Sequence, residues 1–299
     1  MDIQKKFKSG YVSIIGEPNV GKSTFLNAVM GEKIAIVTPK PQTTRTQIRG
    51  VVTTDTYQII FLDTPGILDP KYRLHDWMVK TAYAAAEDAD LVLYFIDVSQ
   101  RRSQIELQIL ERISKIDLKT ILIINKIDLI PKDSLLPIIQ EYSQKFPFIE
   151  IMPISAKLSE GISELRKLVV DYLPLGPQYF PEDQISDLPE RFFVAETVRE
   201  KIFLETSKEI PYSTSVVIEQ FKERKNGKMF ISAIVYVERK SQRGILVGKR
   251  GEMIKRIGRL ARVEIEGFVN SPVFLELRVL VKEDWRRSDR KLKDLGYTS

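Results

Sequence analysis

A glycine- and lysine-containing segment near the start of the chain has the residue types and the spacing that bind phosphate. The sequence GEPNVGKS, from Gly16 to Ser23, fits the P-loop pattern and lies between a predicted strand and a predicted helix. In that pattern the glycines let backbone N–H groups surround the phosphates. Lys22 is placed to reach the β- and γ-phosphates and Ser23 to bind Mg²⁺, while the helix start contributes the positive end of its dipole. The segment predicts a site for a nucleoside triphosphate.

A second motif follows at the end of an apolar run. IIFLDTPG places Asp63 where a carboxylate can hold the Mg²⁺ shell, and the Gly66 N–H can face a γ-phosphate. Alone, DTPG would be typical of an ordinary turn, but after a P-loop it indicates a phosphate site. Between the two motifs lies TPKPQTTRTQ, which has the composition of a mobile loop and threonines placed to meet Mg²⁺ and the γ-phosphate. The predicted Mg²⁺ ligands are Ser23, Thr44 and Asp63, with Thr43 as the alternative to Thr44.

Two later motifs specify the base. In INKID, Asp128 can accept both adjacent donors of guanine, N1–H and N2–H₂, whereas adenine has no such pair and would leave a buried carboxylate unpaired. Asn125 can hydrogen-bond the base, and the stem of Lys126 can cover its face. In ISAK, Ser155–Lys157, the backbone N–H of Ala156 can be directed at guanine O6. Four motifs in this order predict a guanine-nucleotide switch domain.

These motifs are contiguous runs, and each run contributes predicted nucleotide contacts. The contacts are Gly16, Glu17, Pro18, Asn19, Val20, Gly21, Lys22, Ser23, Thr24, Asp63, Thr64, Pro65, Gly66, Ile67, Asn125, Lys126, Ile127, Asp128, Ser155, Ala156 and Lys157. Ile67 stands where Ras-like GTPases carry the glutamine that orients the attacking water. Its side chain has no polar atom, so we expect slow intrinsic turnover or a water held by another group. His75, the chain's one histidine, we place in the loop after DTPG in a solvated or packed role.

The elements that must position these motifs alternate along residues 1–173. Continuous β-branched runs are typical of strands covered on both faces, and here they are YVSIIG, YQIIFLD, DLVLYFID, TILIINK and FIEIMPIS. Amphipathic stretches such as GKSTFLNAVMG, SQIELQILERIS and GISELRKLVVDYL lie between them. This alternation predicts an α/β domain with a mostly parallel sheet and helices on both faces.

The alternation of predicted strands and helices ends after residue 173. Residues 174–190, rich in proline and without periodicity, are predicted to be a linker. Residues 191–299 are predicted to form a smaller α+β module in the order α-β-β-α-α-β with a final basic helix. Its central segment, GILVGKRGEMIKRIG, predicts helix, glycine turn, helix.

The composition excludes several classes of protein and of chemistry. The 299 residues contain no cysteine, which excludes disulfides and thiolate chemistry. The start, MDIQKKFKSG, lacks the apolar stretch of a signal peptide, and no apolar run approaches the ~20 residues of a membrane span. We therefore expect a soluble cytoplasmic protein, with peripheral association to the inner face of the plasma membrane left open.

Charge is unevenly distributed along the chain. The net charge is +6, and residues 239–262 hold nine basic side chains against Glu252 alone. Such a run can be a solvated helix face. Its localisation in one half of the chain instead favours a polyanionic partner.

The motifs GEPNVGKST, PQTTR, DTPG, NKID and SAK, followed by GPQYFPEDQISD, ERFFVAETVREKI and GILVGKRGEMIKRIG, resemble the Era-type GTPases over nearly the full chain. The resemblance implies a bacterial GTP-hydrolysing protein of ribosome assembly with a C-terminal type II KH domain. It also implies that the protein is a monomer and that its partners are the 3′ end of 16S ribosomal RNA and the 30S subunit. GKRG would be a GXXG turn, which clamps about four single-stranded nucleotides. The implied RNA contacts are Gly248, Lys249, Arg250, Gly251, Lys255 and Arg256.

The apolar residues that flank this turn are expected to join the core of the KH domain rather than to line the RNA groove. They are Ile245, Leu246, Val247, Ile254 and Ile257.

The resemblance also bears on catalysis. Asn19 stands at the P-loop position that, in this family, marks enzymes able to hold K⁺ against the phosphates. Such an ion would stabilise charge on the β–γ bridge. The expected catalytic residues are Lys22, Asn19 and Thr44, and the expected cofactors are Mg²⁺ and K⁺, the alternative being that Asn19 only caps the loop.

Three other kinds of GTPase are alternatives, and only the first of them fits this chain. A switch of another class could dock its basic module on a protein or an anionic membrane. A tRNA-modifying GTPase would need catalytic domains for which the chain has no room, and a two-GTPase relative would need a second P-loop.

Overall fold

The apolar runs predicted to be strands lie side by side in one sheet. The computed structural model describes residues 7–116, 118–224 and 227–297. In the described part of the first half the strands are β1 Lys8–Gly16, β2 Ile48–Thr53, β3 Tyr57–Asp63, β4 Leu91–Asp97, β5 Thr120–Asn125 and β6 Glu150–Ile154. Their order is β2-β3-β1-β4-β5-β6, and every neighbouring pair is parallel except β2 with β3. The predicted mostly parallel α/β sheet is confirmed.

Four α-helices connect these strands in the described part of unit 1, and a fifth follows β6. They are α1 Lys22–Met30, α2 Arg73–Glu87, α3 Gln104–Ile116, α4 Leu135–Lys145 and α5 Ile162–Tyr172. Strands β4 and β5 are buried along their whole lengths, because helices cover both faces of the sheet at its centre. The placement of His75 in a loop is wrong: it lies in the first turn of α2 and is buried, with its Nδ1 3.4 Å from the Lys71 N–H.

The chain divides into two compact units. Unit 1 contains the six-stranded sheet and takes Thr44–Lys71, His75–Asp187 and the described residues up to Ala35. Unit 2 contains Ile36–Thr43, Tyr72–Leu74 and the described residues from Leu188 onward.

The proline-rich segment after α5 lies along unit 1, where it contacts β3 and the edge strand β2. Gln58 is fully buried, and its side-chain amide holds the segment: Oε1 accepts from the N–H groups of Tyr179 and Phe180, while Nε2 donates to the Phe180 carbonyl. The outward N–H of Val51, in β2, donates to the Ile185 carbonyl at 2.9 Å. Residues 174–187 therefore satisfy backbone groups that an edge strand would otherwise expose.

Unit 2 follows the predicted α-β-β-α-α-β order. Its elements are α6 Glu190–Glu205, a short α7 Ile210–Ser213, β7 Ser215–Glu223, β8 Met229–Val237, α8 Lys240–Val247, α9 Glu252–Val269, β9 Val273–Val281 and α10 Asp289–Asp294. Strand β8 pairs antiparallel with β7 and parallel with β9. Ile257, Ala261 and Ile265, four residues apart along α9, are buried against this sheet together with Val198 and Ile202 of α6.

Unit 2 also takes short segments from the first third of the sequence. Within Ile36–Thr43, the Nζ of Lys40 donates to carbonyl oxygens at the end of α6, where helical carbonyls lack partners. The guanidinium of Arg199 donates to the carbonyl oxygen of Thr43.

Among the described residues, no helix is long and apolar enough to span a membrane. The first six residues, on which the expectation of no signal peptide partly depends, lie outside the described part.

Candidate functional site

The predicted nucleotide motifs converge on one edge of the six-stranded sheet. The P-loop follows β1, Asp63 ends β3, Asn125 ends β5 and Ser155 follows β6. These four strands are parallel, so their carboxyl ends meet at the same edge. Motifs that are distant in sequence are thus brought together in unit 1.

Lys22 lies at the centre of the P-loop. Its Nζ donates to the carbonyl oxygens of Gly16 (3.0 Å) and Glu17 (2.8 Å), and its side chain is buried. Burial lowers the pKa of Lys22 to about 8 against the opposing attraction of Asp63. Gly21 is left-handed (φ 98°), and a Cβ there would lie 2.1 Å from Asn125 Nδ2, so only glycine fits. The P-loop holds a cationic amine ready for phosphate oxygens.

Ser23, Thr44 and Asp63 meet in one cluster. The Ser23 hydroxyl donates to Asp63 Oδ2 at 2.7 Å, and Thr44 Oγ1 lies 3.2 Å from the same oxygen and 2.8 Å from Ser23 Oγ. Among the described residues, Asp63 Oδ1 is buried without a hydrogen-bond partner. Burial raises the pKa of Asp63 to about 6, although Lys22 and the two hydroxyls oppose the shift.

This cluster fits Mg²⁺. The unpaired Asp63 Oδ1 and two hydroxyl oxygens are hard oxygen donors, and no described group of three or more His, Cys, Asp or Glu side chains could enclose an ion by itself. Mg²⁺ ordinarily takes few protein ligands and completes its shell with phosphate and water. The Thr44 hydroxyl, rather than that of Thr43, is the one that lies beside Asp63.

Asn125 is hydrogen-bonded to two neighbouring loops. Its Nδ2 donates to the Val20 carbonyl (2.7 Å), and its Oδ1 accepts from the Ala156 N–H (3.0 Å), which was expected at guanine O6. A buried amide must satisfy its donor and acceptor, and in this structure the neighbouring loops do so. Asn125 therefore ties the P-loop to the SAK loop.

Asp128 is exposed at the same edge, as a base ligand must be. Its Oδ1 accepts from the Ser155 hydroxyl at 2.6 Å, which orients the carboxylate. The Nζ of Lys126 is paired with Asp97, a residue that the motifs did not indicate. The available signal was its position at the end of an apolar strand next to the strand of INKID.

The DTPG segment is joined to the P-loop through its backbone. The Ile67 N–H donates to the Gly16 carbonyl at 3.0 Å, and the Thr64 hydroxyl donates to the Ile14 carbonyl at 2.7 Å. The side chain of Ile67 is 3% exposed and packs in the core of unit 1. It has no polar atom that could orient a water molecule.

The remaining predicted contacts fall into three exposure classes. Val20, Pro65, Gly66 and Ala156 are buried; Glu17, Pro18, Thr24 and Ile127 are partly buried; Asn19 and Lys157 are exposed. Asn19 has a left-handed backbone (φ 65°) at the tip of the P-loop.

In unit 2, GKRG forms the tight turn between α8 and α9. Gly248 (φ 74°) could not carry a Cβ, which would lie 2.8 Å from Met253 Cβ, and Arg250 and Gly251 are both left-handed. Lys249 and Arg250 project at the exposed tip.

The basic side chains beyond the turn differ from each other. Lys255 is exposed, whereas Arg256 is paired with Glu205 at 2.7 Å. Of the apolar flanks, Leu246 and Ile257 are fully buried and Val247 and Ile254 pack against the core. Ile245 is 53% exposed, so the expectation of a core position is wrong for that residue, because it lies on the outer face of α8.

Both units match models of known protein families. A family model described as a 50S ribosome-binding GTPase matches residues 11–126, and a KH domain model matches residues 209–286. GTPase Era of Geobacter metallireducens is 48% identical over 293 residues, covering 98% of each chain. GTPase Era of Geobacter sp. strain M21 is 50% identical over 294 residues, covering 98% of this chain and 99% of the relative.

Solved structures agree over the same length. An Aquifex aeolicus Era variant bound to GDP·AlF₄⁻ matches with a TM-score of 0.95 at 41% identity, covering 98% of this chain and all of that one. Era in complex with MgGDPNP and nucleotides 1506–1542 of 16S ribosomal RNA matches with a TM-score of 0.95 at 42% identity, with the same coverage. The KH fold expected for unit 2 is confirmed. With curated relatives near half identity along almost its entire length, the chain belongs to the Era family of GTPases.

Proposed function

We propose that this GTPase is a nucleotide-controlled switch that binds the single-stranded 3′ end of 16S ribosomal RNA and acts in assembly of the 30S subunit. The observation that carries the proposal is the GKRG turn: a left-handed backbone between two helices with Lys249 and Arg250 exposed at its tip. A relative that matches over 98% of the chain is solved with 16S ribosomal RNA nucleotides.

The nucleotide half of the switch rests on the P-loop cluster. Lys22 is held at the loop's centre, where its amine can exchange carbonyl partners for β- and γ-phosphate oxygens. Ser23, Thr44 and Asp63 would hold Mg²⁺, which when bound neutralises charge on the phosphates. Asp128, oriented by Ser155, would accept the two guanine donors.

The proposed RNA binding depends on close approach of the RNA backbone to the GKRG turn and on positive charge. Gly248 and Gly251 carry no side chain that would keep a phosphate backbone away from the turn. Lys249, Arg250 and Lys255 supply exposed positive charge, while Arg256 shares its charge with Glu205. We therefore expect Arg256 to contribute less than the other three. We place the protein in the cytoplasm as a monomer.

The test is a charge reversal at the turn. In the double variant Lys249→Asp, Arg250→Asp, affinity for a fluorescent single-stranded oligonucleotide of the 16S 3′ end should fall by at least a hundredfold, on the order of one decade per charge reversed. The slope of log affinity against log salt should also become shallower, because fewer phosphates are neutralised. Fluorescence anisotropy at several salt concentrations measures both.

The matched control reverses two exposed lysines of unit 2 outside the turn, Lys222→Asp and Lys293→Asp. It should retain most of the affinity. Wild-type RNA binding by the turn variant would refute the proposal, as would strong binding to anionic vesicles together with no binding to RNA. GTP hydrolysis without RNA should be unchanged in the turn variant, because the P-loop cluster belongs to unit 1.

A further inference from the structure

Asp97 lies beside the base-recognition motif although it belongs to a different strand. It is the last residue of β4, and in the parallel register of β4 and β5 it is paired with Asn125. Lys126 directly follows Asn125 in the chain and therefore lies close to Asp97. The side chains of Asp97 and Lys126 meet at 2.6 Å between Oδ2 and Nζ.

The carboxylate of Asp97 is fixed from several directions. Oδ1 accepts from the backbone N–H (3.0 Å) and the hydroxyl (2.6 Å) of Ser99, and Oδ2 accepts from Gln100 Nε2 (2.8 Å) as well as from Lys126. Its side chain is 3% exposed. Burial alone would raise the pKa of Asp97, but the hydrogen bonds from Lys126 and Ser99 outweigh it and hold the pKa below its ordinary value. The acceptor is charged and rigid.

Lys126 is held at both ends of its side chain. Its backbone is left-handed (φ 67°), which sets the direction in which the stem leaves the chain, and Asp97 holds the terminal amine. The side chain between these points is only 29% exposed. A lysine side chain normally loses substantial rotamer freedom when it is ordered, and here that ordering is in place before any ligand binds.

We propose that Asp97 is a positioning residue for the guanine base: it fixes Lys126 so that the apolar stem lies ready against the purine face beside Asp128. An ordered stem binds without the entropy loss that a free lysine would suffer, so the base is held more tightly. The inference deepens the proposed nucleotide site and rests on the assignment of Lys126 to the base.

A purely structural role for Asp97 predicts something different. Ser99 and Gln100 also bond to it, so it could serve only to brace the connection between β4 and α3. Loss of a brace would disturb phosphate and base binding alike. Loss of a positioning contact should affect ligands with a purine and spare ligands without one.

The test compares Asp97→Asn, Lys126→Ala and the double variant with wild type. Fluorescent GDP should bind Asp97→Asn about tenfold more weakly, since the freed Lys126 side chain must then be ordered when the base binds. ITP should weaken by the same factor as GTP, because Asp128, not Lys126, distinguishes the two bases. Competition by Mg-tripolyphosphate should be unchanged, and at saturating GTP kcat should be unchanged while KM rises.

The double variant decides whether the two residues act together. It should bind GDP no more weakly than Lys126→Ala alone, because both changes remove the same contact. The matched control is Glu111→Gln, which breaks an exposed carboxylate–lysine pair of 2.7 Å on α3 and should leave binding unchanged.

Other results would overturn the inference. Wild-type GDP binding by Asp97→Asn, additive effects in the double variant, or an equal loss of tripolyphosphate binding would each refute the positioning role. If Lys126→Ala itself binds GDP normally, the base assignment fails along with the inference. Should Asp97→Asn not fold, Ser99→Ala tests the same step: a freed carboxylate should weaken GDP binding about threefold only while Lys126 is present, since the loss depends on the pair.

Discussion

In the nucleotide-free protein, a buried carboxylate beside the P-loop ionises as the pH rises. The free energy of unfolding of the protein should therefore depend on pH. Asp63 is fully buried, with one oxygen unpaired among the described residues. Its pKa is raised from 3.8 to about 6. The perturbation to make is Asp63→Asn, which keeps the shape of the side chain and removes its titration.

The sign and size of the effect follow from that shift. A carboxyl whose pKa is higher in the folded than in the unfolded state stabilises the fold when it is protonated. That contribution is complete below pH ~4 and is lost as the pH rises through about 6. The total loss is about 3 kcal/mol, of which about 1.4 kcal/mol falls between pH 5 and pH 7.5. Lys22, with a pKa of about 8, stays charged over most of that window in the wild type. The charge of Asp63 raises the pKa of Lys22, so Asp63→Asn lowers that pKa further and adds to the rise of stability with pH.

We therefore expect the free energy of unfolding of Asp63→Asn, minus that of wild type, to rise by at least about 1.4 kcal/mol from pH 5 to pH 7.5. Urea unfolding in EDTA without nucleotide measures it. Both proteins should carry Trp285→Phe, so that Trp77, in α2, reports on unit 1. Asp55→Asn, an exposed carboxylate in the turn between β2 and β3, is the matched control. A flat or falling difference would show that Asp63 does not carry the ionisation cost assigned to it.

Three further outcomes are expected. Asp128→Asn should weaken GTP binding at least tenfold, because the double acceptor for guanine is lost; an unchanged fluorescent-nucleotide titration would contradict this. GTP hydrolysis should be faster in KCl than in NaCl at equal ionic strength, and Asn19→Ala should abolish the difference; equal wild-type rates would reject a role for K⁺. Ile67→Ala should lower the stability of unit 1 by about 2–4 kcal/mol, since the side chain is 3% exposed in the core. Turnover per folded molecule should change little, and a rate loss beyond tenfold would imply that the side chain takes part in hydrolysis.

The sequence predicted the elements whose signal is local. Parallel strands such as β4 and β5 are continuous apolar runs because both of their faces are covered. The P-loop was found because phosphate binding constrains residue types at fixed spacing. The GKRG turn could be predicted because two glycines flank two cationic residues between two helical patterns.

What the sequence did not show depends on neighbours distant along the chain. Strand β2 carries Gly50 and lacks a continuous apolar run, and its pairing with β3 makes it a strand. His75 follows Pro70 and a polar stretch, which indicated a loop, yet it lies in the first turn of α2 and is buried. The bridging role of Asn125 and the pairing of Asp97 with Lys126 arise from the register of parallel strands, which no local pattern encodes.

The segment that lies along β2 has a consequence for the solubility of shortened forms of the protein. A fragment ending at residue 173 would remove the partners of Gln58 and the Ile185 carbonyl that accepts from Val51. Strand β2 would then present a free edge, and another copy of the chain could add to it through backbone hydrogen bonds. Residues 174–187 thus act as a guard against self-association, and a GTPase fragment that keeps them should stay monomeric at concentrations where the shorter one aggregates.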